Sequence, residues 1–458
     1  MIANKKFLVI GAARSGIAAV EYLIIHNAQK VILCDDKPIE KCIPDEVKLN
    51  EFINNKKIEL YFDKTMSIEN VEGIDMVILS PSVPPSNKFV VYAKQLNIPV
   101  MTEFEFAYLY AKCDVIAITG TNGKTTTTTL MGEICREAGL DTRVVGNIGY
   151  PFISNADELD KDGIFVAEIS SYQLELCSIF KPKVAIITNI TPDHLDRHGS
   201  FEEYVRVKYK ITMNQDRSDT LIVNADEPYS KAAVKYAKCR CLEISCEGRV
   251  DAGAYYNKAD DALYLADNKN DIFLLKKSEM KIPGMHNVAN ALCAAAAAYA
   301  YNIDVKIIAN TIKNFGGVEH RIEYVATKYG VDYINDSKGT NTDATAIALK
   351  AMSKPTVLIL GGYDKGSEFD DLIQYIKEHV VHIVVLGQTK QKIIEMLDKY
   401  NYYSYFSADT FKDAVMMCKK LARPGDCVLL SPSCASWGMF SSFEERGELF
   451  KKLVKEEV

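Results

Sequence analysis

The sequence predicts an α/β protein of three domains: a Rossmann-like N-terminal domain, a central P-loop ATPase-like domain and a Rossmann-like C-terminal domain. Three observations predict it. Apolar runs of strand length alternate with helical runs along the whole chain. The alternation restarts near Asp114 and again near Val331. The apolar runs lead into small or polar residues, as expected where the carboxyl ends of parallel strands carry binding loops. A chain of 458 residues exceeds one ordinary core, and the boundaries fall at 1–102, 103–317 and 318–458.

The first segment opens with a strand from Phe7 to Ile10, the turn Gly11-Ala12-Ala13-Arg14-Ser15-Gly16, and a helical run to Ile25. A second strand, Lys30 to Cys34, ends at Asp35-Asp36-Lys37, a place to bind a ribose or base. A third, Met76 to Leu79, runs into Ser80-Pro81-Ser82-Val83-Pro84-Pro85. The turn is an incomplete dinucleotide fingerprint, because Ala13 stands where the second glycine would let a pyrophosphate approach. On its own it reads equally as structural or functional.

The central segment holds the strongest local signal. A strand from Asp114 to Ile118 feeds Thr119-Gly120-Thr121-Asn122-Gly123-Lys124-Thr125-Thr126, and a helix follows to Arg136. Phosphate oxygens want backbone N–H donors at a helix N-terminus, with glycine allowing close approach. Lys124 adds a charge for the outer phosphates and Thr125 a hydroxyl for Mg²⁺. The loop is a shortened variant, since Ile118 occupies the first-glycine position. Two further strand ends follow, Glu168-Ile169-Ser170-Ser171-Tyr172-Gln173-Leu174-Glu175 and Thr188 through His198. Glu168 alone reads as a cap or surface residue as readily as a ligand, and His194 alone reads as structural. A carboxylate and an imidazole on strand ends beside a phosphate loop jointly suit Mg²⁺. Lys208 lies in a helical run, Glu202 to Ile211, and on sequence alone reads as a solvated surface lysine. Asn287 and Asn290 share one helix face, where they can cap the helix or touch a nucleotide.

The third segment has strand candidates at Val331–Asn335, Thr356–Leu360, Ile383–Leu386 and Cys427–Leu430. Behind them come Asn335-Asp336-Ser337-Lys338-Gly339-Thr340-Asn341, Gly361-Gly362-Tyr363-Asp364-Lys365, and Leu430 to Phe443. Lys338, Lys365 and Ser436 offer a site for a small anion, and each alone also reads as turn chemistry.

Composition excludes several classes. Net charge is -7 without a basic run, so nucleic acid is not an expected partner. No apolar stretch reaches the ~20 residues of a membrane helix, so no membrane is expected. The initial apolar run ends in a glycine turn and reads as a strand, not a signal peptide. Twelve cysteines without a C-x-x-C pair read as free thiols of a reducing cytosol. The expected form is a cytoplasmic monomer.

Taken in order, these phrases resemble the Mur ligases over essentially the whole chain. The shortened phosphate loop and His194-Leu195-Asp196-Arg197 are shared across the amino-acid-adding members and with folylpolyglutamate synthetases. The phrases S-P-S-V-P, N-D-S-K-G-T-N and L-S-P-x-x-A-S with F-E-E-R-G resemble the branch that adds D-glutamate. Other branches carry D-Y-x-H-x-P or D-Y-N-A-N-P where Asp336-Ser337-Lys338 stand here.

The resemblance implies an ATP-dependent ligase of peptidoglycan synthesis, with UDP-N-acetylmuramoyl-L-alanine, D-glutamate and ATP as partners. It implies that Ser15, Asp36 and Lys37 hold the UDP group and that Asn147 lies near the muramoyl part. Gly120, Thr121, Asn122, Gly123, Lys124, Thr125 and Thr126 would bind ATP, with Asn290, Arg321 and Asp336. Thr125, Glu168 and His194 would hold Mg²⁺, joined by Lys208 as a carbamylated lysine, an anion in place of a cation. Lys124, His194 and Lys208 would be catalytic, and Thr340, Lys365, Ser436 and Phe443 would surround D-glutamate. The implied reaction passes through an acyl phosphate, with domain closure excluding water. Rival readings are a ligase of the folylpolyglutamate synthetase type, an NAD-dependent dehydrogenase built on the Gly11–Gly16 turn, and a non-catalytic nucleotide switch.

Overall fold

The computed structural model describes residues 2–43, 45–267, 270–364 and 368–456. They form two compact units: Met1–Met280 with Asn287–Asn314, and Lys281–His286 with Phe315–Val458. The first unit carries two sheets and the second carries one.

The first sheet contains β1 (Lys6–Ile10), β2 (Lys30–Cys34), β3 (Ile58–Tyr61), β4 (Met76–Leu79) and β5 (Val100–Thr102) in the order β3-β2-β1-β4-β5. Every pairing is parallel. The central strands are continuous apolar runs because helices cover both faces. The strand order reverses between β1 and β4, and the carboxyl ends there open a crevice.

The second sheet contains β6 (Asp114–Thr119), β7 (Thr142–Gly146), β8 (Ile164–Glu168), β9 (Val184–Ile187), β10 (Thr220–Asn224), β11 (Arg240–Ser245), β12 (Ala252–Asn257), β13 (Ala262–Asp267) and β14 (Asn270–Lys276). Their order is β14-β13-β12-β11-β10-β9-β6-β8-β7. Pairing is parallel from β7 to β12 and antiparallel for the last two strands. β6 lies between β8 and β9, so the phrases after those three strands meet at one edge.

Helix Glu103–Tyr108 joins the two sheets into one core. Thr102 caps it through Glu105 N–H, and Phe104 and Phe106 are fully buried. Phe106 meets Phe7 of the first sheet at 6.0 Å between ring centroids, while Phe104 meets Phe152 of the second part at 5.2 Å. Both acids of this helix are buried. Glu105 accepts three successive backbone N–H groups, from Ser178, Ile179 and Phe180.

Glu103 is less well served. Its Oε1 accepts Ile153 N–H at 2.7 Å, while Oε2 is buried with no partner among the described residues. Burial pushes its carboxyl up to about 7, against the opposing pull of the Ile153 N–H and the Arg14 guanidinium. The folded value exceeds the ordinary 4.5, so this group's stabilising contribution is complete below pH 4.5 and is lost as pH rises through about 7. The difference corresponds to about 3 kcal/mol. Thermal melts of Glu103→Gln and wild type should therefore diverge in the variant's favour between pH 4 and pH 8. A melting difference that does not change with pH would contradict this.

The third sheet contains β15 (Glu323–Lys328), β16 (Val331–Asn335), β17 (Thr356–Leu360), β18 (Val380–Val385), β19 (Tyr405–Ser407) and β20 (Cys427–Leu430). Its order is β15-β16-β20-β17-β18-β19, parallel except for the β15–β16 pair. The order reverses between β17 and β20, whose carboxyl ends carry Gly361-Gly362 and Ser431-Pro432. All twelve cysteines are free thiols. No helix among the described residues is long and apolar enough to cross a membrane.

Candidate functional site

Residues 120–123 bend from β6 into helix Lys124–Glu137. Gly123 is the N-cap at φ +82°, and a Cβ there would stand 2.2 Å from Asn290 Oδ1. Only glycine fits, and Asn290 is thereby placed directly on the loop. The loop is braced by the strand next door. Thr121 N–H donates to Asn189 O at 2.9 Å, Asn122 N–H to Asn189 Oδ1 at 2.8 Å, and Thr188 Oγ1 to Asn122 O at 2.7 Å. Lys124 Nζ folds back onto Thr121 O at 2.7 Å. Thr125 and Thr126 occupy the first helical turn, where the N–H groups have no intrahelical acceptor.

Glu168 ends β8 and is 1% exposed. Its Oε1 accepts the Asn147 side-chain amide at 2.7 Å, and its Oε2 is buried with no partner among the described residues. Lys208, in helix Phe201–Tyr209, is 1% exposed and donates from Nζ to Gly120 O at 2.8 Å. Its ammonium lies over the Tyr204 ring at 4.6 Å, with no ion pair among the described residues. Burial, then the neighbouring Lys124 charge, hold it well below the usual lysine range, while Asp193 and Glu168 pull the other way. A cation so enclosed, without a paired anion, is expensive to keep charged. Lys208 is thus not the solvated surface lysine that its helix alone suggests. His194 is half exposed, at φ +53°, with Nδ1 2.9 Å from Tyr172 OH and Nε2 3.5 Å from Asp193 Oδ2.

The Glu168 carboxylate fits a hard divalent cation beside a phosphate. The fit rests on the orphaned Glu168 oxygen, since a buried carboxylate atom without a donor is costly unless a cation meets it. Among the described residues, one group of three His, Cys, Asp or Glu ligand atoms lies within 4.8 Å of one another, Glu319, His320 and Glu448, and it does not fit. The Lys451 ammonium already pairs with Glu319, Glu323 and Glu448.

In the first sheet a cavity of about 310 Å³ opens over the carboxyl ends of β1 and β2, lined by Asp36, Lys37, Tyr61, Lys64, Ser82 and Lys88 among others. Ser15 sits on the first turn of helix Arg14–Ile25. Asp35 braces this turn by accepting Ala12 N–H at 2.9 Å and Lys37 N–H at 3.0 Å.

The second unit gathers its own set. Asp336 is 0% exposed, accepts Ser431 Oγ–H at 2.7 Å and Ile322 N–H at 3.2 Å, and lies 3.7 Å from Arg321 Nη1. Burial raises its carboxyl to about 6 against the Arg321 charge. Lys338 Nζ lies over the Phe443 ring at 5.4 Å. Thr340 N–H donates to Lys338 O at 2.9 Å, and Ser436 is 3% exposed. Lys365 lies outside the described residues.

Residues 118–298 match the Mur ligase middle domain, and residues 320–434 match the domain described as Mur ligase, glutamate ligase domain. A relative from Thermoanaerobacter sp. (strain X514), named UDP-N-acetylmuramoylalanine--D-glutamate ligase, is 45% identical over 456 residues, 99% of this chain and 98% of the relative. The chain belongs to the Mur ligase family. A relative of the same name from Lachnospira eligens is 42% identical over 98% of each chain. Among solved structures, the UDP-N-acetylmuramate-alanine ligase of Thermotoga maritima shares the fold at TM-score 0.61 and 17% identity, covering 98% of this chain and 99% of its own. A MurF ligase of Thermotoga maritima in complex with ADP gives TM-score 0.59 at 16% identity, over 99% and 96%.

As a Mur ligase the chain is an ATP-dependent enzyme that forms amide bonds. Several residues that hold its site together carry no local signal. Arg446 is 1% exposed and donates to Ser337 Oγ, Ser337 O and Cys434 O, tying the 335–341 loop to the 431–438 loop. The quoted F-E-E-R-G phrase contained it without revealing its partners. His320, 4% exposed, faces Asn335 Nδ2 at 3.0 Å and the edge of Phe443. Arg197 joins the carbonyls of Ser82 and Val83 to Glu175, so the S-P-S-V-P turn is fastened to the segment after β8. His198 is buried against Ser171 Oγ at 3.0 Å, and burial holds its imidazolium below the usual range.

Proposed function

We propose that this Mur ligase joins D-glutamate to UDP-N-acetylmuramoyl-L-alanine, converting ATP to ADP and phosphate, in cytoplasmic peptidoglycan precursor synthesis. The observation that carries the reading is the end-to-end likeness, 45% over 456 residues, to a relative bearing that activity in its name. It extends through both units, each of which carries phrases of the D-glutamate branch.

The chemistry follows from the acyl donor. A carboxylate is a poor one because oxide leaves badly. Phosphorylation of the alanyl carboxylate gives an acyl phosphate, and phosphate then leaves when the D-glutamate amine attacks. The N–H groups at the start of helix Lys124–Glu137 offer donors to the phosphates, those of Thr121 and Asn122 being held by Asn189. Lys124 rests on a neutral carbonyl, Thr121 O, and an anionic phosphate oxygen is the stronger acceptor, so the ammonium transfers to it. Magnesium, when bound, neutralises charge on the transferring phosphoryl oxygens. Glu168, Thr125, His194 and a carbamylated Lys208 would hold it.

Carbamylation requires the neutral Lys208 amine. Its nitrogen bonds to the carbon of CO₂ and releases one proton, leaving a carboxylate where a cation stood. The enclosed Nζ, held by the neutral Gly120 carbonyl, supports this reading. In this scheme the first sheet takes the UDP group at Ser15, Asp36 and Lys37, with Asn147 toward the muramoyl part. Asn290, Arg321 and Asp336 serve the nucleotide. Thr340, Lys365, Ser436 and Phe443 serve D-glutamate.

The test is phosphate release from ATP with magnesium and UDP-N-acetylmuramoyl-L-alanine, with D-glutamate, L-glutamate, L-lysine and glycine supplied in turn. Turnover with D-glutamate alone is expected. Release with another amino acid would keep the ligase and overturn its substrate. ATP binding without release would favour another acceptor or a switch protein.

A further inference from the structure

We infer that Arg14 and Glu103 are positioning residues for the UDP-linked substrate, acting by stringing the 147–153 loop between them and so setting Asn147. This rests on the proposed ligase reading and adds two residues to it. Arg14 belongs to the Gly11–Gly16 turn, beside Ser15. Its Nη2 crosses 135 positions of sequence to donate to Gly149 O at 2.6 Å. At the other end of the loop, Glu103 Oε1 accepts Ile153 N–H at 2.7 Å. Between these posts the chain has little freedom. Gly149 has φ +68°, and a Cβ there would stand 2.4 Å from Val144 O. Phe152 is fully buried between Phe104 and Phe165.

What the loop carries is Asn147. Its backbone N–H donates to Glu168 O at 2.9 Å and its side-chain amide to Glu168 Oε1 at 2.7 Å. The loop therefore links the turn beside the UDP cavity to the carboxylate beside the phosphate loop. Stability does not explain Arg14. It is an exposed, long side chain that forfeits rotamer freedom to meet one neutral carbonyl, and its charge only partly offsets the burial of the Glu103 carboxyl. A contact of that kind contributes little to folding. Its effect lies in fixing the loop before substrate arrives, which is a gain in preorganisation.

The experiment is steady-state kinetics on the full chain, with a double-mutant cycle between Arg14→Ala and Asn147→Ala. Arg14→Ala is expected to raise KM for the UDP-linked substrate about tenfold, with KM for ATP unchanged and kcat within about threefold. Arg14→Lys, which keeps a donor, should recover most of the loss. On the Asn147→Ala background the same change should add less than about twofold, because the effect passes through Asn147. Glu103→Gln, which keeps the acceptor for Ile153 N–H, should hold KM near wild type, while Glu103→Ala should raise it. Wild-type KM in Arg14→Ala would overturn the proposal. So would a full tenfold effect repeated on Asn147→Ala, which would mean that Arg14 touches the substrate itself. If Glu103→Ala fails to fold, the Arg14 cycle decides alone. Absence of turnover in the wild-type enzyme would instead refute the ligase reading.

Discussion

Lys208→Ala is expected to keep less than about one hundredth of wild-type turnover while remaining folded, and short-chain carboxylates are expected to restore part of it. The side chain reaches Gly120 O at the mouth of the phosphate loop and is 1% exposed. Deleting it removes the nitrogen on which a carbamate would form, and with it an anion next to the phosphate site. The fold should survive, because a buried cation without a paired anion contributes little net stability. Acetate or formate diffusing into the vacated volume would supply the missing oxygens. Wild-type turnover in the variant would remove Lys208 from the mechanism. Lost turnover in a folded variant, with no carboxylate able to rescue it, would mean that the lysine acts as an amine or a cation.

Glu168→Gln is expected to lose about two orders of magnitude in turnover and to need far more magnesium for half-maximal rate. The change keeps shape and keeps an oxygen for the Asn147 amide, now held at 2.7 Å. It replaces the buried, unpartnered Oε2 with a neutral group. Burying an amide costs less than burying an uncompensated carboxylate, so melting without magnesium should be unchanged or higher. Wild-type dependence on magnesium would show that the orphaned oxygen meets no cation. Lower stability together with lower turnover would show that the carboxylate is structural.

The large, locally patterned features were legible in the sequence. The apolar runs from Phe7, Lys30, Met76, Asp114, Val331, Thr356 and Cys427 are strands within a residue or so of their expected ends. All but the run from Val331, whose burial alternates, are buried on both faces, and burial on both faces writes a continuous apolar run. The strands β12, β13 and β14 passed unread. Part of each surface faces water, and their sequences mix Asn, Asp and Lys with Tyr and Leu. β15 is likewise half polar at the sheet edge. The phosphate loop was legible because a glycine turn between a buried strand and a helix is itself the mechanism of phosphate binding.

The sequence by itself determined three α/β segments, the phosphate loop, and the placement of Glu168, Asp36 and Asp336 at strand ends. All follow from periodicity and turn chemistry, which are properties of near neighbours in the chain. The resemblance added the family, and with it a role for Lys208 that its helix does not advertise. Only the tertiary structure decided which distant groups meet. Lys208 finds Gly120 across 88 positions, Arg446 finds Ser337 across 109, and Arg14 finds Gly149 across 135. It also decided that Glu168 keeps one oxygen without a partner among the described residues and that Asp336 is wholly enclosed. Such contacts are set by strand order, by its reversal at β1/β4 and β17/β20, and by how helices close over the sheets. No local window of sequence contains that information, because the energy of each contact depends on residues that the chain brings together only on folding.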